Sequence, residues 1–124
     1  PWLYPRGSQV PEHRLGSALR GMGSIFSSAS DVAKFVKAYW PIVEEGLASR
    51  PIGQRQDGEL CGMLNVRSLG CGRKVLYRFG MIYGGSSFLA MDPQTHRFLA
   101  ILRNVTSWPA SEDFDLASRY FGDS

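Results

Sequence analysis

Residues 74–103 read KVLYRFGMIYGGSSFLAMDPQTHRFLAILR, and this run decides the fold. Lys74–Phe79, Ser86–Met91 and Arg97–Arg103 are short apolar stretches rich in β-branched and aromatic residues, separated by turn chemistry. Asp92-Pro93-Gln94-Thr95 places proline where its fixed φ suits the second position of a turn. Links this short join neighbouring strands antiparallel. Upstream, Leu60–Arg67 reads as one more strand, turned into Lys74 by Gly70–Gly72. The expectation is a four-stranded antiparallel meander.

The last strand is apolar on both faces. Phe98, Ala100 and Leu102 alternate with Leu99 and Ile101. A half-solvated antiparallel strand alternates apolar with polar, so this one requires cover on both sides. The sequence points to the C-terminal helix as the one lying flat on the sheet, and to residues outside this chain as the remaining cover.

Two helices flank the meander. Ser28-Ala-Ser-Asp31 offers a hydroxyl cap and an acid three residues on. Val32, Phe35, Val36, Tyr39, Trp40 and Val43 then follow at helical spacing. Pro41 is expected to end or kink this helix, Gly46 to close the region, and residues 47–59 to form a polar connection. Ser111-Glu-Asp-Phe114 starts a final helix with one apolar face of Phe114, Ala117, Tyr120 and Phe121. Asp113 and Asp115 read as a solubilising first turn that matches the helix dipole. The fold class is α+β: an antiparallel sheet meander flanked by helices. Residues 1–23, rich in Pro, Gly, Ser and Arg, read as an extended arm, and residues 24–124 as the C-terminal part of an incomplete domain.

Composition excludes several classes. The chain has 124 residues, 44% hydrophobic and 20% charged, which is globular rather than disordered. Its net charge of +3 is spread without a basic stripe, so no nucleic-acid partner is expected. No apolar run approaches the ~20 residues of a membrane span. Cys61 and Cys71 fall at opposite ends of their hairpin, too far apart for a disulfide, and with His13 and His96 they make no recognisable metal spacing. Both histidines read as surface residues. Asn104-Val-Thr106 matches a glycosylation sequon, but Asn104 reads as a strand end.

One constellation carries chemistry. Tyr77-Arg-Phe-Gly-Met-Ile-Tyr-Gly-Gly-Ser-Ser87 reads as a strand end running into a glycine-rich hairpin loop. Arg78 stands on the strand face opposite Val75, Tyr77 and Phe79. A cation beside a glycine-opened backbone can hold a carboxylate or a developing oxyanion.

The ordered set of motifs resembles the C-terminal third of the serine β-lactamase-like family, which includes class C β-lactamases, penicillin-binding DD-peptidases and related esterases and acyltransferases. Gly21-Met-Gly-Ser-Ile-Phe-Ser-Ser-Ala-Ser-Asp-Val-Ala-Lys-Phe35 resembles the segment that opens a helix in that family. Leu60-Cys-Gly-Met-Leu64 resembles its "YGLG" strand. Arg78-Phe-Gly80, Gly84 and Ser86-Ser87 resemble its third catalytic box, and Met91-Asp-Pro93 with Ile101-Leu-Arg-Asn104 its closing strand pair.

The resemblance implies acyl transfer. A serine attacks an ester or amide carbonyl, and water or an alcohol resolves the acyl-enzyme. It places Arg78, Gly80 and Met81 at the catalytic centre, the Met81 N–H as an oxyanion donor. Phe79, Tyr83, Gly84 and Ser86 then line the substrate side. No cofactor and no metal are implied. The implied partners are a small ester or amide substrate and the missing N-terminal part of the same domain, whose strands pair with the last strand here.

Two departures stand out. SxxK and Tyr-x-Asn, the family's first two boxes, do not occur in these residues. Arg78 stands where Lys or His is usual, and keeps the charge without serving as a proton acceptor. The chain alone is therefore expected to be inactive. The alternative is a non-catalytic binding or scaffold protein on the same fold.

Overall fold

The computed structural model describes residues 27–82, 84–105 and 111–122. The arm expected over residues 1–23, and His13 with it, lie outside the described residues.

Helix α1 spans Ala29–Ser49. Ser28 caps it: the Ser28 side-chain oxygen accepts from the Asp31 N–H at 3.2 Å. The helix does not end at Pro41 as the sequence suggests, but continues through it for two more turns. Pro41 lies on the exposed side, so the carbonyl it leaves unpaired faces water. Val43, buried two residues on, and Leu47 pin the continuation to the core. The end of α1 is held by Arg55, which donates to the carbonyls of Gly46 at 2.9 Å, Arg50 at 3.1 Å and Leu60 at 2.7 Å. Residues 47–59 are thus not a plain polar connection. They hold the last helical turn, a 3-10 turn over Ile52–Gln54 and the buried Ile52.

The sheet has five strands, all antiparallel and in chain order: β1 (Leu60–Cys61), β2 (Leu64–Ser68), β3 (Lys74–Ile82), β4 (Gly85–Asp92) and β5 (Arg97–Arg103). The strand expected over Leu60–Arg67 is two strands. The chain folds back at Gly62–Met63, and Gly62 takes the positive φ of 62° that the turn requires. The glycine-rich run is also not a loop. β3 reaches Ile82 and β4 starts at Gly85, so Gly80 pairs with Ser87 and Met81 with Ser86 inside the ladder. Glycine permits unusual dihedrals but does not demand them.

Each face of the sheet carries one helix. On one, α1 packs Val36 and Val43 against Leu64, Val66, Leu76, Met91, Leu89 and Phe98. On the other, α2 (Ser111–Gly122) packs Ala117, Phe121 and Phe114 against Val75, Phe88, Ala90, Leu99 and Ile101. Each fully buried side chain of this size contributes roughly 1.5–3 kcal/mol. Both helices thus reach β5, not the C-terminal helix alone, yet none of its residues is fully buried. Among the described residues the outer edges of β1 and β5 and the β2 side of β3 beyond Tyr77 carry no partner strand, and Leu102 is 41% exposed.

Two details of α2 differ from its sequence pattern. Tyr120 turns outward beneath the Arg97 guanidinium, 4.3 Å from the ring centroid. Asp113 is no solubilising residue: it is 3% exposed and accepts from both terminal nitrogens of Arg103. The Asp92-Pro93 turn forms as read. Asp92 is buried and accepts from the Gln94 N–H, the Thr95 hydroxyl and Arg73, each at 2.9 Å. Cys61 and Cys71 are free thiols, the first buried and the second exposed.

Candidate functional site

Backbone direction along β3 follows from Val66. Its N–H donates to the Glu59 carbonyl at 2.9 Å, and its carbonyl accepts from the Gly58 N–H at 2.7 Å, both away from β3. Its neighbours Asn65 and Arg67 therefore exchange hydrogen bonds with their partners Tyr77 and Val75. By the same alternation Arg78 and Gly80 turn their backbone groups toward β4, and Met81 turns its own toward the side of β2. Pairing with β2 stops at Asn65–Tyr77. The Met81 N–H thus lies on a stretch of β3 that β2 does not reach.

Side chains sort by the period of two. Arg78 and Gly80 share the face of Leu76, under α1. Phe79 and Met81 share the face of Val75 and Tyr77, under α2. Arg78 is exposed, and its Nη1 reaches the Met63 carbonyl at 3.4 Å. Gly80 leaves no room to spare: a Cβ there would stand 3.1 Å from Ser87 Oγ.

The expected site residues therefore divide. Arg78, Gly80 and the backbone of Met81 come together at one end of β3. Phe79 does not join them; it stacks on Tyr77 at 6.3 Å on the opposite face. Ser86 is on that opposite face too, across from Arg103, its Oγ buried without a hydrogen-bond partner. Gly84 forms the hairpin turn with φ 83°. Tyr83 lies outside the described residues. Ser87, quoted in the third-box motif but not assigned to the site, is the hydroxyl on the Arg78 face, because it pairs with Gly80. Its signal is register: once the hairpin closes at Ile82 and Gly85, every second residue of β4 shares the Arg78 face.

Arg78 differs from the other strand arginines. Arg103 holds Asp113, Arg97 donates to the Tyr120 carbonyl, and Arg67 stacks on Phe114 at 3.9 Å. Among the described residues Arg78 has neither a carboxylate nor a ring, only the long contact to Met63. It is a cation at the surface, available to an anion.

Other candidates stay apart from this end of the sheet. His96 is exposed, 3.3 Å from Glu44 Oε1 and edge-on to the Trp40 ring. Asn104 follows β5 directly and is exposed, while Thr106 of its sequon is outside the described residues. Among the described residues no three His, Cys, Asp or Glu side chains gather as a metal site. Among the described residues no helix is long and apolar enough to cross a membrane. No known family, curated protein or solved structure matches this chain.

Proposed function

We propose that this chain is the C-terminal part of a β-lactamase-like acyl-transfer domain acting on an ester or amide. The observation that carries the reading is the Met81 N–H on the stretch of β3 that β2 does not reach, beside the exposed Arg78. A backbone donor fixed in a strand costs no reorganisation when charge develops on a carbonyl oxygen.

The steps follow from acyl transfer. A serine oxygen supplied by the rest of the domain attacks the substrate carbonyl, and its proton passes to a neighbouring base. The carbonyl oxygen becomes an oxyanion and accepts from the Met81 N–H. Collapse expels the alcohol or amine with a proton. Water then repeats the sequence on the acyl-enzyme and releases the acid. Arg78 stays protonated throughout and acts by its field. A strand that presents Arg78 and Met81 without the serine can bind but not turn over.

The second reading, a non-catalytic binding protein on the same fold, is favoured by that same arginine, which cannot take a proton. One experiment separates the two. The full-length reading frame is incubated with a chromogenic ester and then weighed intact. Turnover with an acyl group on a serine of an SxxK box supports the enzyme. A reading frame with no such box, or no acylation, overturns it.

A further inference from the structure

His96 closes the turn between β4, which ends at Asp92, and β5, which starts at Arg97. Among the described residues it is the one residue other than glycine with a positive φ, 57°. That left-handed conformation strains a residue carrying a Cβ, and such strain persists where surrounding contacts hold it. Two contacts to α1 hold this one. His96 Nε2 lies 3.3 Å from Glu44 Oε1, and the imidazole meets the Trp40 ring with centroids 4.7 Å apart and planes at 67°. Trp40 and Glu44 are four residues apart, so one turn of α1 offers both to the same imidazole. Trp40 packs against the core beneath α1, which anchors the turn to a fixed body.

The charged groups around His96 are few. On its own turn Asp92 is buried and accepts from Arg73, Gln94 and Thr95, and Arg97 reaches the Tyr120 carbonyl on the opposite face. On α1, Lys37 lies two turns before Glu44 on the same side, and Glu45 is next around the axis; both are exposed. Among the described residues the charge that meets His96 is Glu44.

We propose that His96, Trp40 and Glu44 form a proton-operated clasp that fastens the β4–β5 turn to α1 in mild acid and slackens it near neutral pH. An imidazole ordinarily changes charge between pH 5 and 8. Protonated, the ring donates a charge-assisted bond to the Glu44 carboxylate and brings its positive charge within reach of the indole face. Neutral, it keeps the ring contact and loses the ion pair, while the strain at φ stays. Contacts that favour the protonated ring add stability below the range where a free imidazole titrates, and withdraw it as pH rises through that range. The clasp stands apart from the acyl-transfer reading and needs no ligand.

The test compares urea midpoints of the 124-residue chain at about pH 5.5 and about pH 7.5, on either side of ordinary imidazole titration. His96→Asn is the reference, because asparagine tolerates a positive φ and does not titrate. His13 is present in every variant, so the difference against this reference belongs to His96. The wild-type midpoint should gain roughly 0.2 M or more on acidification beyond the change in His96→Asn; a smaller gain overturns the clasp. Glu44→Gln should remove at least half of the gain, and a gain equal to wild type overturns the assignment of Glu44. With Trp2→Phe and Trp108→Phe leaving Trp40 as the indole observed, its emission should fall on acidification, because a protonated imidazole quenches a neighbouring indole. The fall should vanish when His96→Asn is added. Emission that ignores pH, or that still falls without His96, overturns the contact.

Discussion

Arg103 of β5 grips Asp113 of α2 through both terminal nitrogens of its guanidinium. This fork fixes the start of α2 against the edge strand. Asp113 is almost fully buried, while the Arg103 side chain is 28% exposed and partly hydrated. The contact also holds Arg103 charged beyond its ordinary range, chiefly through the Asp113 hydrogen bond. Asp113→Ala should cost about 1.5–3 kcal/mol, the range for a hydrogen bond to a charged group. It should stay short of the cost of a fully buried pair, since water reaches Arg103. The urea midpoint measures it. A loss under about 0.5 kcal/mol, ordinary for a surface site, would show the fork to be decorative.

Arg78→Ala in the full-length protein should lower turnover about tenfold or more, the effect of losing a charge-assisted bond of roughly 1.5–3 kcal/mol in the transition state. Its stability should change by under about 0.5 kcal/mol, because Arg78 is exposed and, among the described residues, makes only the long bond to the Met63 carbonyl. Kinetics within twofold of wild type would refute the role given to Arg78.

The 124-residue chain by itself should show no hydrolase activity, since it contains neither SxxK nor Tyr-x-Asn. A chromogenic ester and a β-lactam, each followed by intact mass, check this. Turnover above a heat-killed control with a serine-linked acyl group would sink the division of labour proposed above.

The edge of β5, open among the described residues, should make the chain associate as its concentration rises, because such an edge is a template for another strand. Light scattering reads this out. Leu102→Lys should reduce it, since Leu102 is exposed and a lysine on an edge opposes pairing. Ile101→Lys is the wrong probe: Ile101 packs in the α2 cluster, and a charge there unfolds the sheet. A clean monomer at high concentration would count against the open edge.

Asp57 supplies a pH dependence. One of its oxygens accepts from the Ser68 backbone N–H at 3.1 Å and from the Ser68 hydroxyl at 2.9 Å. The backbone bond foremost lowers its pKa from 3.8, with burial acting against it. A lowered folded pKa gives stability that is present above 3.8 and lost as pH falls through the folded value. Asp57→Asn should therefore be less stable than wild type at neutral pH, by under about 1 kcal/mol for so exposed a contact. Thermal melts should show that gap closing as pH falls below 3.8 and through the folded value. A constant gap across the acid range would show that charge plays no part.

The meander, its two flanking helices and the Asp92 turn were legible because each rests on local chemistry: periodicity, a capping serine, a proline after an acid. The failures are tertiary. Pro41 sits inside α1 because Val43 and Leu47 bury beyond it, and no local rule contains that burial. Asp113 looks solvating until β5 brings Arg103 beside it. Arg78, Gly80 and Met81 are proposed from motif order, whereas only register places Ser87, not Ser86, on the Arg78 face. A two-residue hairpin decides which serine shares a face with Arg78, and a sequence that reads the glycines as a longer loop loses the count.

Arg55 ties the end of α1 to the start of the sheet through one side chain, and its own carbonyl accepts from Lys74 of β3. Mechanically it is a rivet through three layers of chain. Neither the last turn of α1 nor β1 can peel away without breaking the same guanidinium contacts. Through Arg55 the two segments share one side chain, so their amides should exchange with solvent in a single cooperative event rather than fraying one by one.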